Sequence, residues 1–156
     1  MKLRNSRVLV TGAGRGLGRN IAQAMARRGA DVALVARNAE QLDQLAKELG
    51  GKAYPADLMD PAAVEALIDR VEADGPIDVI VNNAGVDCVG RFYEASAQDV
   101  RDLLQVNLIA PMELCRQVMP LMMRRGRGHI VNVSSMGAIS TGPGVTLYGA
   151  SKAGLS

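Results

Sequence analysis

The sequence predicts a three-layer α/β/α fold built on a doubly wound parallel sheet. Short apolar runs alternate with longer amphipathic segments along the 156 residues, and the apolar runs are continuous, which is typical of parallel strands buried on both faces. Strands that alternate with helices are joined by right-handed crossovers, so helices cover both faces of one sheet. With a 48% hydrophobic composition and a length typical of one domain, residues 1–156 are predicted to form a single domain.

Five apolar runs are predicted as strands. They lie at residues 8–10, 32–35, 52–54, 77–81 and 130–133. A six-stranded dinucleotide-binding sheet needs at least one more strand, and the sequence ends at Ser156, inside a helix that we expect to begin near Leu147. We therefore expect that C-terminal strands are missing and that the fifth strand is an unprotected hydrophobic edge.

Three helices have recognisable starts in the sequence. Asp60 followed by Pro61 is an N-cap with proline at the first helical position. Asn38 with Gln41 resembles a capping box, and Ser96 is the third predicted N-cap. Each is followed by apolar residues at helical spacing, so each predicts an amphipathic helix that packs on the sheet.

Charge and composition argue against several classes of partner. The formal net charge is +2 and the chain has no Trp, whereas nucleic-acid-binding domains usually carry a basic stripe. The local basic cluster of Arg124, Arg125 and Arg127 follows an apolar helix, whose C-terminal end favours cations. The apolar runs are shorter than the roughly 20 residues that span a bilayer, and the first ten residues lack a signal-peptide pattern. We expect a cytoplasmic protein that binds neither nucleic acid nor a membrane.

The cysteine and histidine content predicts neither a disulfide nor a metal site. Cys88 and Cys115 share no pair motif, and reduced thiols are expected in a chain without a signal peptide. His129 is solitary and opens an apolar run.

A glycine-rich turn joins the first predicted strand to a helical pattern. Its glycines are Gly12, Gly14, Gly16 and Gly18, in the spacing T-G-x-x-x-G-x-G; the register G-x-G-x-x-G would place its third glycine on Leu17. Such glycines let the backbone approach a pyrophosphate, which N–H groups at the helix N-terminus stabilise. A strand–turn–helix context makes the motif specific for dinucleotides. A tight turn without a ligand is the alternative.

The end of the second strand predicts which dinucleotide is bound. An acidic residue there would accept hydrogen bonds from a 2′-hydroxyl, but the chain has Ala36 and Arg37, and Asp31 lies too early, at the start of the strand. Arg37 and Arg15 suit a 2′-phosphate, which guanidinium groups bind bidentately. NADP(H) is therefore favoured and NAD(H) is possible. The alternative is that Arg37 is a solvated loop residue.

Tyr148 and Lys152 are candidates for proton transfer. They are four residues apart, so they share one face of a helix, and an ammonium near a phenol favours the phenolate. Such a pair serves as a proton donor and acceptor near neutral pH. Ser135 follows the fifth strand and Asn83 follows the fourth, at the sheet edge where open α/β folds bind ligands.

Asn107 falls on the apolar stripe of its predicted helix, beside Leu103 and Leu104. A buried amide costs free energy unless it is hydrogen-bonded, so we expect it to have polar partners inside the fold. A satisfied structural asparagine and a catalytic residue are both consistent with this position.

Together these features resemble the classical short-chain dehydrogenases/reductases over the whole chain. The resemblance depends on TGAGRGLG at residues 11–18, Asp57 with Leu58, NNAG at residues 82–85, Asn107, Ser135 and YGASK at residues 148–152. It implies a Rossmann fold that continues beyond this chain with further strands and a substrate-covering segment.

The resemblance implies catalytic roles for four residues. Tyr148 would be the general acid/base, and Ser135 would polarise the substrate carbonyl. Lys152 would hold the nicotinamide ribose and lower the pKa of the tyrosine, while Asn107 would support a water relay to the lysine.

The implied cofactor site extends from the glycine turn to the catalytic helix. Asp57 would contact the adenine, and Asn83 would lie near the ribose. The cofactor-binding residues are Gly12, Gly14, Arg15, Gly16, Leu17, Gly18, Arg37, Asp57, Leu58, Asn83, Ala84, Gly85, Tyr148 and Lys152.

Two functions follow for this sequence. The first is an NADP(H)-dependent oxidoreductase that acts on a small-molecule carbonyl compound or alcohol, as a homodimer or homotetramer in the complete protein. The alternative is a catalytically incompetent nucleotide-binding or structural fragment of such an enzyme. Residues 86–93 and 136–147 are expected to line part of the substrate pocket, and their small or apolar residues favour a hydrophobic ketone or acyl group.

Overall fold

The computed structural model describes residues 3–140 and 142–156. Its five strands form one parallel sheet in the order β3-β2-β1-β4-β5. The strands are β1 (Arg7–Thr11), β2 (Asp31–Val35), β3 (Lys52–Ala53), β4 (Val79–Asn82) and β5 (His129–Asn132). The strand order reverses between β1 and β4, so a crevice opens above the carboxyl ends of these two strands. The predicted doubly wound fold is confirmed.

The described residues include six α-helices. They are α1 (Gly16–Arg27), α2 (Ala39–Leu49), α3 (Pro61–Glu72), α4 (Ala97–Leu104), α5 (Ala110–Arg125) and α6 (Thr146–Leu155). Of these, α1 to α5 lie between strands and α6 follows β5. A π-helical turn (Gln105–Ile109) lies between α4 and α5, and short 3₁₀ helices occupy Phe92–Glu94 and Met136–Ala138. Across the described residues, every helix is too short or too polar to cross a membrane.

The three predicted N-caps are confirmed. The side chain of Asn38 accepts a hydrogen bond from Gln41 N at 2.9 Å, and that of Asp60 accepts one from Ala62 N at 2.9 Å. Ser96 and Asp99 cap each other reciprocally in a full capping box. These contacts satisfy N–H groups that have no partner within the helix.

The core lies in two layers, one on each face of the sheet. On one face, Leu9 and Ile80 pack with apolar residues of α3 and α5. On the other face, Val8 and Val10 pack with residues of α1 and α2. Neighbouring residues of β1 thus point to opposite layers, as the pleat of a strand requires.

β5 differs from the prediction of a strand buried on both faces. All four of its residues are exposed, including Ile130 and Val131 at 36% and 45%. β5 pairs only with β4 within the described sheet, and it forms the hydrophobic edge that the sequence predicts. Continuous apolar sequence therefore predicted the strand correctly but its burial wrongly, because burial depends on what packs against each face.

The basic cluster at the end of α5 has structural partners. Arg125 donates to both carboxylate oxygens of Glu72, at 2.8 and 3.1 Å, and to Ile77 O at 2.9 Å. Arg127 Nε lies 3.0 Å from a carboxylate oxygen of Asp78. Ile77 N also donates to Glu72 at 2.7 Å, and β4 begins at Val79, not at residue 77 as predicted.

Candidate active site

The glycine turn packs directly against the loop that follows β4. Gly12 and Gly16 have positive φ angles of 69° and 55°, which glycine adopts without steric cost. A Cβ at Gly12 would lie 2.9 Å from Ala84 Cα, and a Cβ at Gly18 would overlap the Gly12 carbonyl. The absence of side chains at these positions therefore brings α1, the turn and the β4 loop together.

Thr11 connects the ends of β1 and β4. Its Oγ1 accepts hydrogen bonds from the N–H groups of Asn83 and Ala84, both at 3.1 Å, and donates to Val81 O at 3.4 Å. Asn83 Nδ2 in turn donates to Thr11 O at 2.9 Å. The side chain of Asn83 thus supports the glycine turn, in addition to its predicted place at the cofactor site.

A single cleft of about 790 Å³ lies above this junction, within the range typical of small-molecule sites. Every residue predicted to bind the cofactor lines it, from the glycine turn to Tyr148 and Lys152. The cleft also includes residues outside the predicted cofactor-binding set; of these, Ala36, Val86 and Asp87 lie in segments that the sequence places at the site, and the others were missed. The residues outside the predicted set are Val35, Ala36, Asn38, Gln41, Ala56, Met59, Val86, Asp87, Val106, Val133 and Ser134.

The cationic end of the cleft lies beyond the carboxyl end of β2. Arg15 and Arg37 both line it, and Gly14 packs close enough to Ala36 that an added Cβ would lie 3.3 Å from the alanine Cβ. Asp31 begins β2 at the opposite end, where it accepts a 2.6 Å hydrogen bond from Arg7 Nε. Its side chain is therefore far from a ribose placed beside Arg37, as the sequence predicts.

Lys152 is buried at the other end of the cleft. Its side chain is held by a 2.9 Å hydrogen bond from Nζ to Val133 O, and the residue is 4% exposed. Burial lowers the pKa of the Lys152 ammonium, because desolvation disfavours its charged form. A Cβ at Gly85 would lie 3.5 Å from Nζ, so Gly85 leaves space beside the ammonium.

Ser135 and Tyr148 flank the same glycine. A Cβ at Gly137 would lie 3.4 Å from two ring carbons of Tyr148 and 3.6 Å from Ser135 Oγ. Ser135 Oγ accepts a 3.1 Å hydrogen bond from Gly137 N. The serine hydroxyl and the tyrosine ring, thirteen residues apart in sequence, are thereby brought to one place beside the cleft.

Asn107 has the buried polar partners that the sequence predicts. It is fully buried in the π-helical turn. Oδ1 accepts from Val86 N at 2.8 Å, and Nδ2 donates to Val86 O at 2.8 Å and to Ser151 Oγ at 3.1 Å. Ser151 Oγ donates to Tyr148 O at 2.8 Å. Asn107 therefore ties the loop after β4 to the helix that carries Tyr148 and Lys152.

Within the described residues, the thiols and the side chains able to bind a metal form no centre of their own. Cys88 and Cys115 are free, and Cys115 Sγ accepts from Asn82 Nδ2 at 3.3 Å. In the part of the chain that the structure describes, no three His, Cys, Asp or Glu side chains come together as a metal site would require.

Known proteins resemble this chain in sequence and in fold. The family model described as short chain dehydrogenase matches residues 6–156. The chain is 42% identical to ketoacyl reductase HetN from Nostoc sp., covering 95% of this chain and 54% of that protein. It is 41% identical to nodulation protein G from Rhizobium meliloti, covering 99% of this chain and 64% of that protein.

Solved structures agree with the computed one. A metagenomic short-chain oxidoreductase in complex with NADP superimposes with a TM-score of 0.94 at 35% identity, covering 99% of this chain and 73% of that one. A short-chain dehydrogenase from Sphingobium yanoikuyae in complex with NADPH gives a TM-score of 0.90 at 37% identity, with 96% and 61% covered.

The present chain spans about half to two thirds of the length of the curated relatives it matches. Within that span, the family model covers the glycine turn, the loop after β4 and the helix that carries Tyr148. The chain belongs to the short-chain dehydrogenase family.

Proposed function

We propose that this chain is the cofactor-binding and proton-transfer part of an NADP(H)-dependent oxidoreductase that interconverts a carbonyl compound and an alcohol. One observation carries the proposal: a single cleft joins the glycine turn, at one end, to Tyr148 and Lys152 at the other. Residues 1–156 act in this proposal as one dinucleotide-binding domain.

The cleft has the features that a dinucleotide needs. The turn between β1 and α1 has glycine at positions 12, 14 and 16, which lets the backbone come close to a pyrophosphate, and N–H groups at the start of α1 favour anions. Arg15 and Arg37 would bind a 2′-phosphate, Asp57 and Leu58 would contact the adenine, and residues 83–85 would lie near the nicotinamide ribose. The NADP and NADPH complexes of two structural relatives support this choice, with NAD(H) as the weaker candidate.

Side chains of this protein transfer the proton that accompanies the hydride. A bound nicotinamide cofactor supplies or accepts the hydride. During reduction the Tyr148 hydroxyl donates its proton to the carbonyl oxygen, and it takes a proton back from the alcohol in the reverse direction. Ser135 donates a hydrogen bond to the same oxygen, which stabilises the charge that develops there. Lys152, whose Nζ donates to Val133 O at 2.9 Å, would hold the nicotinamide ribose.

In the proposed reaction, Asn107 holds the loop after β4 against the helix that carries Tyr148 and Lys152. Both hydrogens of its Nδ2 are used by Val86 O and Ser151 Oγ. The proposed water relay to Lys152 therefore depends on other atoms of Asn107.

The Tyr148→Phe variant tests the proposal. We measure NADPH oxidation by the purified chain with a panel of apolar ketones, together with NADPH affinity by calorimetry. The parent should turn over at least one ketone, and Tyr148→Phe should lose at least about 100-fold in kcat while it still binds NADPH. Equal turnover by parent and variant would contradict the role of the tyrosine.

A second candidate is binding without turnover. Its support is that Met136 and Ile139, which follow Ser135, are 74% and 85% exposed, whereas catalysis requires a site that excludes water. NADPH binding by the parent with no oxidation across the ketone panel would favour this candidate.

The complete protein is proposed to be a homodimer or homotetramer. An apolar stripe on the outer face of the π-turn and α5 supports this: Ile109, Met112, Met119 and Met123 are each 46% or more exposed. Their spacing of 3, 7 and 4 residues places them on one side of the helix, and contiguous apolar surface of this kind marks interaction sites.

A further inference from the structure

The direction of the Ser135 hydroxyl is constrained by a backbone amide. Gly137 N donates to Ser135 Oγ at 3.1 Å. Gly137 is the second residue of the short 3₁₀ helix (Met136–Ala138), for which Ser135 is the N-cap. One lone pair of the serine oxygen is therefore occupied by an N–H group.

This contact matters chemically because a serine hydroxyl can either donate or accept. It has one O–H and two lone pairs. An N–H group that points at the oxygen favours orientations in which the hydroxyl proton points elsewhere. It also polarises the O–H bond, because donors and acceptors in a hydrogen-bonded chain strengthen one another. A carbonyl oxygen needs a donor, so the Gly137 contact selects the useful orientation.

The same glycine also lies against the proton-transferring residue. A side chain at position 137 would contact the Tyr148 ring at 3.4 Å and Ser135 Oγ at 3.6 Å. Gly137 therefore borders both of the residues that the proposed function assigns to the substrate carbonyl. A change at position 137 is expected to alter how the Ser135 and Tyr148 hydroxyls are placed around the carbonyl oxygen.

We propose that the backbone N–H of Gly137 is a positioning group, which orients and polarises the Ser135 hydroxyl for donation to the substrate carbonyl. The proposal rests on the proposed function and adds a residue to it. Gly137 acts through Ser135 and does not itself contact the reacting atoms.

A matched pair of variants separates the N–H from the side chain. Gly137→Ala adds a Cβ and keeps the N–H, whereas Gly137→Pro adds a side chain and removes the N–H. Proline at position 137 keeps a helical φ and removes the N–H that bonds Ser135 Oγ, and the Ser135→Ala chain separates this loss from the restriction that proline places on Met136. Both variants are made in the parent chain and in the Ser135→Ala chain. We measure kcat, KM for NADPH and the midpoint of thermal unfolding.

The expected result is a kcat for Gly137→Pro about three- to tenfold below that of Gly137→Ala, the range for one neutral hydrogen bond, with no change in KM for NADPH. In the Ser135→Ala chain the difference between the two variants should vanish, because the hydroxyl that the amide orients is gone.

Two results would overturn the proposal. An equal kcat with a lower unfolding midpoint for Gly137→Pro would mean that the contact only caps the helix. An unchanged kcat difference in the Ser135→Ala chain would mean general distortion. A parent with no turnover contradicts the proposed function, and the role of Gly137 falls with it; an active parent with equal variants contradicts Gly137 alone.

Discussion

Burial of the Lys152 ammonium couples the proposed site to pH. The side chain is 4% exposed and its pKa is lowered by desolvation. The unfolded chain keeps this proton up to the ordinary value of 10.5, while the folded chain loses it at a lower pH. Between these two values the unfolded state binds more protons, so stability rises with pH.

The Lys152→Met variant isolates this contribution. Methionine is unbranched and uncharged, so it removes the titration with little change in volume. The free energy of unfolding, measured by urea denaturation at a series of pH values below the ordinary pKa of 10.5, should rise with pH in the parent relative to the variant. Subtraction cancels the other titrating groups, such as Cys115, whose thiol pKa is raised by burial. A flat difference would show that Lys152 does not titrate in this interval.

Arg37 should determine cofactor choice. Arg37→Gln removes one guanidinium from the end of the cleft that Arg15 also lines. We expect the affinity for NADPH to fall about ten- to 100-fold, the range for hydrogen bonds to charged groups, with a much smaller effect on NADH. Calorimetric titration with both cofactors checks this. Arg19→Gln is the control, because Arg19 lies in α1 and pairs with Glu48 at 3.1 Å. A parallel loss for NADPH and NADH would contradict the assignment.

At the level of elements, the π-helical turn fastens α6 to the loop after β4. Replacing Asn107 with leucine would leave the N–H and C=O of Val86 without their side-chain partner, and the Ser151 hydroxyl would lose the hydrogen bond that it accepts. We expect a loss of about 2–3 kcal/mol in unfolding free energy. Ser96→Ala, which removes an exposed N-cap, should cost about 1 kcal/mol. Urea denaturation of both variants tests the difference, and similar losses would mean that Asn107 is no more than an ordinary cap.

The helix starts and the glycine turn could be predicted because the residues that form each of them are close together in sequence. Asp60 and Pro61 are adjacent, and Ser96 and Asp99 are three residues apart, so local sequence contains the whole cap. The glycine turn and the NNAG segment are each a single short stretch of sequence. For this reason many of the residues that line the cleft could be predicted. Ser151 was missed because its partner Asn107 is 44 residues away. The exposure of β5 was also missed, since it depends on packing and not on the strand's own residues.

At the scale of the whole molecule, the stripe on α5 predicts association. We expect the double variant Met112→Glu with Met119→Glu to shift the molecular mass toward a monomer, because two carboxylates would be desolvated in an apolar contact. Light scattering after gel filtration measures this, with Gln44→Glu on the exposed face of α2 as the control for added charge. An unchanged mass relative to an oligomeric parent would place the contact elsewhere, and a monomeric parent would contradict association of this chain.

The Thr11 hydroxyl has a consequence for the timing of ligand binding. The sheet has two halves, β1 to β3 and β4 with β5, which are joined where β1 pairs with β4. The hydrogen bonds of the Thr11 hydroxyl to Val81, Asn83 and Ala84 link the end of β1 to the end of β4 and to the loop that follows it. The glycine turn and the loop after β4 are therefore already held against each other before a ligand binds. Their conformational entropy is lost when the chain folds and not when a dinucleotide arrives, so the junction is preorganised for fast capture with little rearrangement.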